Sequence, residues 1–550
     1  MSAKGIRRVA LVVSIIGSGI VFLDGTIVNV ALPAIRGSLH GNLADQQWIV
    51  EAYLLTLSSL LLIGGSLGDL LGRQRVFALG LAGFGTCSLL CALAPSSGLL
   101  IAARAVQGVA GALLVPSALA LISDTFSGRE RAAAIGTWTA WAGVSTVIGP
   151  LGGGVLVQAA SWRWIFAINL VPVAVAIWLL RKLPSDKPTP GHLDVIGAGL
   201  CALGLGGPVF ALIEQPRYGW GSPVVAVPLL VGLVLLGAFL AWERRARVPM
   251  MPLHLFTVRN FTIGNLTTLM LYAGLGDATF FLVLFIQQVG GYNPVQAGLS
   301  LLPLTIVIFL CSKRFGALAD RFGPRAFMTG GPLIAAVGLL ALVRTGASID
   351  YAGTILPAVV VFGLGMAITI APLTATVLGS VEPGHSGLAS GVNNAVARAA
   401  GLLAIAAVGA VVSASFADRL GHDLPARALS ARSRVAIARA RISPLITKAS
   451  GVPGPERRIV HAALQDASVH AFRIGIGIGA GLAGLGGVLS LLGIENPRRR
   501  VSCADCPGGA LTGARATSAE GIALTEADGQ TNREGADPVS TTAPAHHWRR

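Results

Sequence analysis

Fourteen apolar runs of roughly membrane-crossing length follow one another along this chain, and they leave few alternatives for its fold. A transmembrane helix needs about 20 predominantly apolar residues. Only 12% of the 550 residues are charged, about half the share found in ordinary soluble domains. The sequence therefore predicts an all-α polytopic membrane protein with 14 transmembrane helices. The runs lie near residues 9–33, 48–67, 76–94, 99–123, 133–157, 164–181, 193–213, 223–242, 261–286, 297–312, 326–343, 355–378, 388–413 and 471–493.

The basic residues of the short loops fall almost entirely on one side of these runs. That side, which includes the N-terminus, carries 21 Arg and Lys residues, and the other carries four: Arg36, Arg163, Arg217 and Arg344. Because cytoplasmic loops hold the excess of Arg and Lys, we expect both termini to be cytoplasmic. The bias toward Arg, Ala and Gly is typical of a high-GC bacterial genome, so the expected location is the inner (plasma) membrane of a bacterium. The same pattern explains the net charge of +16, so we expect the lipid bilayer, and no nucleic acid, as a partner.

Two loop segments share one pattern, which indicates an internal repeat. Gly65 to Arg75 follows the second run and Gly316 to Arg325 follows the tenth, and both fit G-x-L-(G/A)-D-x-x-G. A parallel duplication into two six-helix halves with an inserted helix pair is therefore expected. The expected parts are an N-terminal half at 1–181, the inserted pair with its linkers at 182–260, a C-terminal half at 261–497 with a long outer loop at 414–470 and a surface helix at 426–441, and a disordered cytoplasmic tail at 498–550.

Two carboxylates interrupt apolar runs at nearly equivalent positions of this repeat. Asp24 precedes the loop residue Asp69 by 45 residues, and Asp277 precedes Asp320 by 43. An ionisable side chain within a transmembrane helix is costly, so it usually faces a cavity and serves ions or substrate. We expect both acids to approach one central cavity and to couple protons to substrate. Two simpler explanations stay open: Asp24 is solvated near the outer surface, or Asp277 lies near the end of its helix.

Three further ionisable residues are candidates for the same coupling site. Arg104, in the fourth run, is expected to keep the acid of the first run deprotonated, although a structural arginine bonded to backbone carbonyls would also fit. Glu51 either lines the outer mouth or is an exposed carboxylate near a helix end. Arg398 lies in the thirteenth run, with Asn393 and Asn394 as candidate hydrogen-bonding partners one turn earlier.

Seven segments, in chain order, carry a further pattern: Leu23 to Pro33, Gly65 to Arg75, Leu100 to Gly108, Gly143 to Gly153, Ser161 to Asn169, Trp242 to Arg245 and Gly391 to Ala395. Together they resemble the fourteen-helix drug:proton antiporters of the major facilitator superfamily. The resemblance covers most of residues 9–493 and implies two six-helix halves, two inserted helices and alternating access. Leu70 and Gln74 depart from the usual basic residues of the loop signature, and Asp277 stands where a small residue is expected.

The resemblance also implies a cytoplasmic latch and an antiporter helix. In the latch, an ion pair would hold the outward-facing state closed on the inside, and glycines would allow a tight turn; the alternative is that these charges only set topology. In the antiporter helix, a proline bends the fifth run and glycines provide a smooth face for packing between the halves. The latch residues are Gly65, Asp69, Gly72, Arg73, Asp124, Asp320 and Arg321, and the antiporter-helix residues are Gly143, Gly149, Pro150, Gly152 and Gly153.

These features predict proton-coupled efflux of small amphipathic, often cationic, drugs or antibiotics by a monomer. The alternative is a dedicated exporter of one endogenous metabolite or self-made antibiotic. Without a GxxxxGK[ST] segment, ATP is not the expected energy source. Because no catalytic triad or His-rich set lies in the runs, we expect neither an enzyme nor a cofactor. The single CxxC at Cys503 and Cys506 lacks a second ligand pair, so no metal is expected.

Overall fold

A computed structural model of the chain describes residues 3–184, 193–247, 249–382, 386–424, 429–441, 444–447 and 451–496. Every regular element in these residues is helical, which confirms the predicted all-α fold class. The predicted tail at 498–550, including Cys503 and Cys506, lies outside the described residues.

The described residues form α-helices α1 to α17. A 3-10 turn at Leu253–Thr257 precedes α10, and a π turn at Tyr351–Ile355 precedes α14. The helices are α1 (Ala3–Leu39), α2 (Leu43–Leu71), α3 (Arg73–Leu93), α4 (Ser97–Thr125), α5 (Gly128–Ala159), α6 (Trp164–Ala167), α7 (Leu170–Leu180), α8 (Val195–Tyr218), α9 (Pro223–Glu243), α10 (Arg259–Gln288), α11 (Pro294–Ser300), α12 (Leu302–Phe322), α13 (Pro324–Leu342), α14 (Leu356–Gly379), α15 (Ser386–Asp423), α16 (Ala431–Arg441) and α17 (Gly454–Gly493).

Twelve helical stretches in the described part are long and apolar enough to cross a membrane. They include α11 and α12 as one stretch, Pro294–Phe322. The apolar stretch Trp164–Leu180, formed by α6 and α7, is shorter, and α2 adds a helix of 29 residues. These helices together are compatible with the predicted count of fourteen.

The structure shows helical ends within the predicted long outer loop, whose position outside the membrane stays a prediction. Helix α15 continues to Asp423 and α17 begins at Gly454, so less chain than the predicted 414–470 separates the two helices. The predicted surface helix corresponds to α16, which begins at Ala431. Polar turns that extend a helix carry no apolar signal, so hydropathy did not predict these helical extensions.

Matching helix ends support the repeat that the loop segments predict. Asn42 caps the start of α2 and Asn293 caps the start of α11, and each forms a reciprocal capping box with the residue three positions later. Each asparagine lies 27 residues before its loop aspartate. Gly72 and Gly323, each three residues after that aspartate, have φ values of 94° and 92°. Glycine adopts this backbone conformation without a steric penalty, so the same turn recurs at the same position of both halves.

Helix α8, of the predicted inserted pair, packs between α2 and α15. The indole Nε1 of Trp48 donates to Glu214 Oε1 at 3.0 Å, which joins α2 to α8. Ile213 of α8 is buried in a cluster with Leu402 of α15. The first inserted helix therefore contacts one helix from each predicted half.

Three hydrogen bonds join the predicted halves near helix ends on one side. We call the side where α1 begins the predicted cytoplasmic side, and the opposite one the predicted outer side. Near the outer ends of α1 and α2, three hydrogen bonds reach the C-terminal half: Arg36 Nη1 to Gln288 Oε1 at 2.7 Å, Gln47 Nε2 to the Ile405 carbonyl at 2.7 Å, and Gln287 Nε2 to the Val30 carbonyl at 3.1 Å.

Candidate functional site

Asp24 lies in the middle of α1 and is fully buried within a network of polar side chains. Its Oδ2 accepts a hydrogen bond from Arg104 Nη1 of α4. Its Oδ1 accepts from Gln107 Nε2 at 3.2 Å and from Asn169 Nδ2 at 3.1 Å. The explanation that Asp24 is solvated near the outer surface is therefore wrong.

All the described hydrogen bonds of the Asp24 carboxyl group are accepted by its oxygens. An ionised carboxylate only accepts hydrogen bonds, whereas a protonated one must also donate. The three donors therefore match the ionised form of Asp24. The single positive charge of Arg104 balances it, and a buried pair of this kind depends on further hydrogen bonds to offset desolvation.

Arg104 is held from several sides, so its position is fixed before any ligand arrives. Its Nε donates to the Ile49 carbonyl at 3.0 Å, and Nη1 also donates to Gln107 Oε1 at 2.8 Å. Its Cζ lies 4.1 Å from the centroid of the Tyr53 ring and 5.7 Å from that of Phe166. Both interpretations of Arg104 thus describe part of its environment: it pairs with Asp24 and it also bonds to a backbone carbonyl.

Sequence reasoning did not identify three members of this network as site residues: Ser88, Gln107 and Asn169. Gln107 Nε2 donates to Ser88 Oγ at 2.9 Å, and Asn169 Nδ2 approaches the same oxygen at 3.3 Å. Gln107 follows Arg104 by three residues, a spacing that places both side chains on one face of a helix. That spacing was the available signal. Asn169 carried a weaker one, as a polar residue inside the apolar run 164–181, and in the structure it stands in the break between α6 and α7.

Asp277 lies near the middle of α10 and is also fully buried. The explanation that it sits near the end of its helix is therefore wrong. Neither carboxyl oxygen has a hydrogen-bonding partner among the described residues. The group is packed against α17, where a Cβ added at Gly479 would lie 2.2 Å from Asp277 Oδ2.

The two acids thus occupy unlike environments. The described contacts of Asp24 are with the N-terminal half, and those of Asp277 are with α17 of the C-terminal half. An ionised carboxylate buried without a partner costs a great deal of free energy, so the site around Asp277 fits the neutral acid. The expectation that both acids line one cavity stays a prediction.

Glu51 is fully buried on α2, between two residues that contact Arg104. Its two carboxyl oxygens have no hydrogen-bonding partner in the described part of the chain. The explanation that Glu51 is an exposed carboxylate near a helix end is therefore wrong. Its role at the outer mouth stays a prediction.

Arg398 brings a charge of the C-terminal half next to α1. Its Cζ lies 5.8 Å from the centroid of the Phe22 ring, two residues before Asp24. Asn393 was expected to hydrogen-bond to Arg398. Its Nδ2 instead donates to Thr268 Oγ1 of α10 at 2.8 Å. Asn394 Nδ2 donates to a carbonyl of its own helix.

Arg73, in the loop signature and at the start of α3, forms an ion pair with Asp124 at the end of α4. Both residues belong to the N-terminal half. Gly72 has the positive φ that the predicted tight turn needs. The side chain of Asp69 is outside the described part, so its place in the latch stays a prediction. In the second loop, Asp320 and Arg321 are exposed, and Arg321 Cζ lies 5.3 Å from the centroid of the Phe322 ring.

The close helix approach beside this loop occurs at Gly64 and not at the neighbouring latch residue Gly65. A Cβ at Gly64 would lie 2.0 Å from the Ala112 carbonyl oxygen, whereas one at Gly65 would lie 3.6 Å from Pro116. The first distance is far inside van der Waals contact and the second is ordinary. Sequence spacing could not distinguish two adjacent glycines.

Gly64→Ala is expected to destabilise the protein by about 1–3 kcal/mol, because a methyl group there forces α2 away from α4. The measurement is the thermal unfolding midpoint of the purified full-length protein. Gly65→Ala is the matched control and should change the midpoint little. Equal midpoints for the two variants would contradict the close approach at Gly64.

The glycines of α5 do not all act as predicted. Gly149 and Gly153 face α1 of the same half, where an added Cβ would lie 2.2 Å from Thr26 Oγ1 and 2.5 Å from Ile27 Cγ1. Gly143 and Gly152 have no close neighbour on another described helix. The predicted smooth face between the halves is therefore wrong for these four glycines.

Contact between the halves along α5 comes from other residues. A Cβ at Gly298 of α11 would lie 2.4 Å from the Pro150 carbonyl oxygen, and a Cβ at Gly154 would lie 2.6 Å from the Pro294 carbonyl oxygen. Pro150 thus does belong to this contact.

Among the described residues, no group of three or more His, Cys, Asp and Glu side chains is placed to hold a metal ion.

Comparison with known proteins agrees with this architecture. Residues 14–406 match the sequence profile of the Major Facilitator Superfamily. In a structural comparison, a bacterial homolog of the human lysosomal transporter Spinster, solved in an inward-facing and unoccupied conformation, aligns with a TM-score of 0.62 and 17% identity. That alignment covers 90% of this chain and all of the other, and at this identity it supports the fold alone.

The sequence relatives are more similar to this chain than that structure is, and their names describe narrower functions. The puromycin resistance protein pur8 of Streptomyces alboniger is 36% identical over 74% of this chain and 82% of its own length. The probable actinorhodin transporter of Streptomyces coelicolor is 35% identical, with 78% and 77% covered. The multidrug resistance protein Stp of Mycobacterium tuberculosis is 32% identical, with 74% and 76% covered. The chain is therefore a multi-pass membrane protein that belongs to the Major Facilitator Superfamily of transporters, together with relatives that act in drug and antibiotic resistance.

Proposed function

We propose that this protein exports small amphipathic, often cationic, drugs or antibiotics in exchange for protons. The observation that carries the proposal is the buried Asp24 network, in which one carboxylate is balanced by one arginine. The drug- and antibiotic-resistance relatives support the export of such compounds. The proposed setting is the bacterial inner membrane, with both termini cytoplasmic and the monomer as the working unit.

A proton on Asp24 would change the network in a defined way. Protonation removes the negative charge and leaves the Arg104 guanidinium buried without its counter-ion. Breaking one partner of a buried ion pair costs several kcal/mol. The network would therefore rearrange, and movement of α1 against α4 is the step that we propose links proton binding to the transport cycle.

Asp277 provides a second proton-binding group with the opposite resting state. Its neutral form fits the site beside α17, and a cation that approaches would favour loss of the proton. A positively charged substrate and a proton would then exclude each other. The membrane potential supplies about 2.3 kcal/mol for each charge moved across 100 mV, which is enough to drive export with one or two protons.

The helix contacts suit alternating access between the halves. The hydrogen bonds from Arg36, Gln47 and Gln287 hold helix ends together on the predicted outer side. Export requires these contacts to break so that substrate can leave. We propose that the present conformation is closed on that side, with residues 3–181 and 261–496 moving as the two halves and α8 and α9 as the inserted pair.

A dedicated exporter of one self-made antibiotic is the second candidate function. It is favoured by the similarity to a probable actinorhodin transporter and to a puromycin resistance protein, each named for a single compound. The Asp24 network would serve either function equally well, because it concerns coupling and not substrate choice.

The deciding experiment uses the full-length protein in sealed vesicles with an imposed proton gradient. We expect uptake into inverted vesicles of several unrelated amphipathic compounds, and loss of that uptake when the gradient is collapsed. Transport of one compound alone from a broad panel would favour the dedicated exporter. Transport that persists at full rate without a proton gradient would contradict proton coupling.

Arg73→Ala is expected to slow transport severalfold with little change in substrate affinity. The ion pair with Asp124 braces α3 against α4 away from the substrate, so its loss shifts the conformational equilibrium. Because the pair is partly exposed, its effect on stability should stay within about 1 kcal/mol. Exported flux and substrate binding are measured in parallel, with Arg75→Ala, at an exposed arginine in the first turn of α3, as the control. Tenfold weaker binding at a normal transport rate would contradict the latch.

A further inference from the structure

A cavity of about 660 Å³ lies between the predicted outer ends of α1 and α10. Arg36 and His40 line it from the N-terminal half, and Gln287 and Gln288 line it from α10. Thr447, from the segment between α16 and α17, completes the wall. We propose that this cavity binds an anionic oxygen group, either a carboxylate or a phosphate.

The charge of the lining points to an anion. Arg36 is permanently charged, and none of the described residues that line the cavity is acidic. The nearby carboxylate of Asp45 is already used, because it accepts a hydrogen bond from the Asn42 backbone and caps α2. A cleft with charge of one sign attracts counter-ions from solution.

The geometry of Arg36 leaves donors for a ligand. The side chain is half-buried, and its one hydrogen bond among the described residues runs from Nη1 to the neutral oxygen of Gln288. That bond orients the guanidinium without balancing its charge. The group carries five N–H donors in a flat fork that matches the oxygens of a carboxylate or phosphate in pairs.

The neighbouring groups keep this fork in place. Gln287 Nε2 donates to the Val30 carbonyl at 3.1 Å, which fixes the end of α10 beside α1. The Thr447 hydroxyl contacts the Gln288 carbonyl at 3.5 Å, and Ile446 and Thr447 both line the cavity. The cavity is thus assembled from three parts of the chain while the outer ends of the helices are together.

An anion in this cavity would favour the conformation closed on the outer side. Arg36 and Gln288 come from different halves, so the site is complete only when those halves meet there. A ligand shifts a conformational equilibrium by its difference in affinity for the two states. This consequence rests on the proposed alternating access, whereas binding of the anion does not.

The test measures the thermal unfolding midpoint of the full-length protein in neutral detergent against inorganic phosphate, with sodium chloride at equal ionic strength as the reference. We expect a saturable rise in the midpoint with phosphate. Arg36→Gln should weaken apparent phosphate binding by at least about tenfold, because the paired donors are lost. Arg344→Gln, at an exposed arginine on the same predicted side, should keep the phosphate effect.

A second variant separates binding from the link between helices. Gln288→Leu removes the acceptor of Arg36 but keeps the cation, so phosphate should still raise its midpoint. No phosphate effect beyond that of chloride in the unmodified protein, or equal effects in the unmodified and Arg36→Gln proteins, would overturn the site. The site would also be overturned if Gln288→Leu lost the phosphate effect as completely as Arg36→Gln. Arg36 would then act only through its hydrogen bond to Gln288.

The source of the anion is resolved by lipid composition. In phosphatidylglycerol nanodiscs, a bound headgroup would raise the thermal unfolding midpoint before phosphate is added. If added phosphate then increases it no further, the site is assigned to a lipid headgroup. A phosphate effect of equal size in phosphatidylglycerol and phosphatidylcholine nanodiscs assigns it to a soluble anion. Neither measurement requires transport, so failure of the anion site and failure of proton-driven export are told apart.

Discussion

Asp24→Asn is expected to reduce proton-driven export to the level of vesicles that lack the protein. Asparagine keeps the shape of the side chain and one oxygen that can accept from Arg104, but it cannot take up or release a proton. The buried guanidinium of Arg104 also loses its counter-ion, so a lower thermal unfolding midpoint is expected as well. Insertion into the membrane should continue, because the apolar run of α1 is unchanged.

The measurement is pH-dependent efflux at equal membrane abundance of each variant. Asp418→Asn changes an exposed acid on α15 and serves as the matched control. Asp24→Glu keeps a titrating group one methylene further from α1 and should retain part of the activity. Normal pH-dependent efflux by a well-folded Asp24→Asn protein would remove Asp24 from the mechanism.

The fold was accessible from the sequence because its main determinants are periodic and local. Apolar runs identify membrane helices, and the repeated loop pattern indicates the duplication. The capping boxes at Asn42 and Asn293 and the turns at Gly72 and Gly323 then confirm that both halves repeat the same local geometry. What hydropathy could not supply is the length of polar helical extensions, as at the ends of α15 and α17.

The site was only partly accessible, because partners distant in the chain depend on how helices rotate and pack. Asp24 and Arg104 could be paired from their burial cost and opposite charge. The donation from Asn169 requires α6 and α7 to approach α1, which no local pattern shows. Likewise Gly149 and Gly153 mark a small-residue face of α5, but the sequence does not say that this face meets α1 and not the opposite half.

The unlike surroundings of the two acids suggest how one cycle could handle a cation. The Asp24 carboxylate is neutralised internally by Arg104, so a proton there must compete with a fixed charge. Asp277 faces a glycine backbone and has no described hydrogen-bonding partner. In the proposed cycle, a cation displaces the proton of Asp277 without breaking an existing ion pair. We therefore propose that the two acids respond to different events, Asp24 to the proton gradient and Asp277 to substrate charge.

Asp277→Asn is accordingly expected to reduce export of cations more than export of neutral compounds. The amide is close in shape and charge to the neutral acid that fits beside Gly479, so folding should be little affected. It cannot lose a proton to balance a cation, so fewer protons should be released for each cation bound. The measurement pairs efflux of a permanently charged dye with efflux of a neutral substrate. Glu51→Gln changes a second buried carboxyl that has no hydrogen-bonding partner among the described residues, and serves for comparison. Equal losses for the two substrates, or no loss for either, would show that Asp277 takes no part in recognising charge.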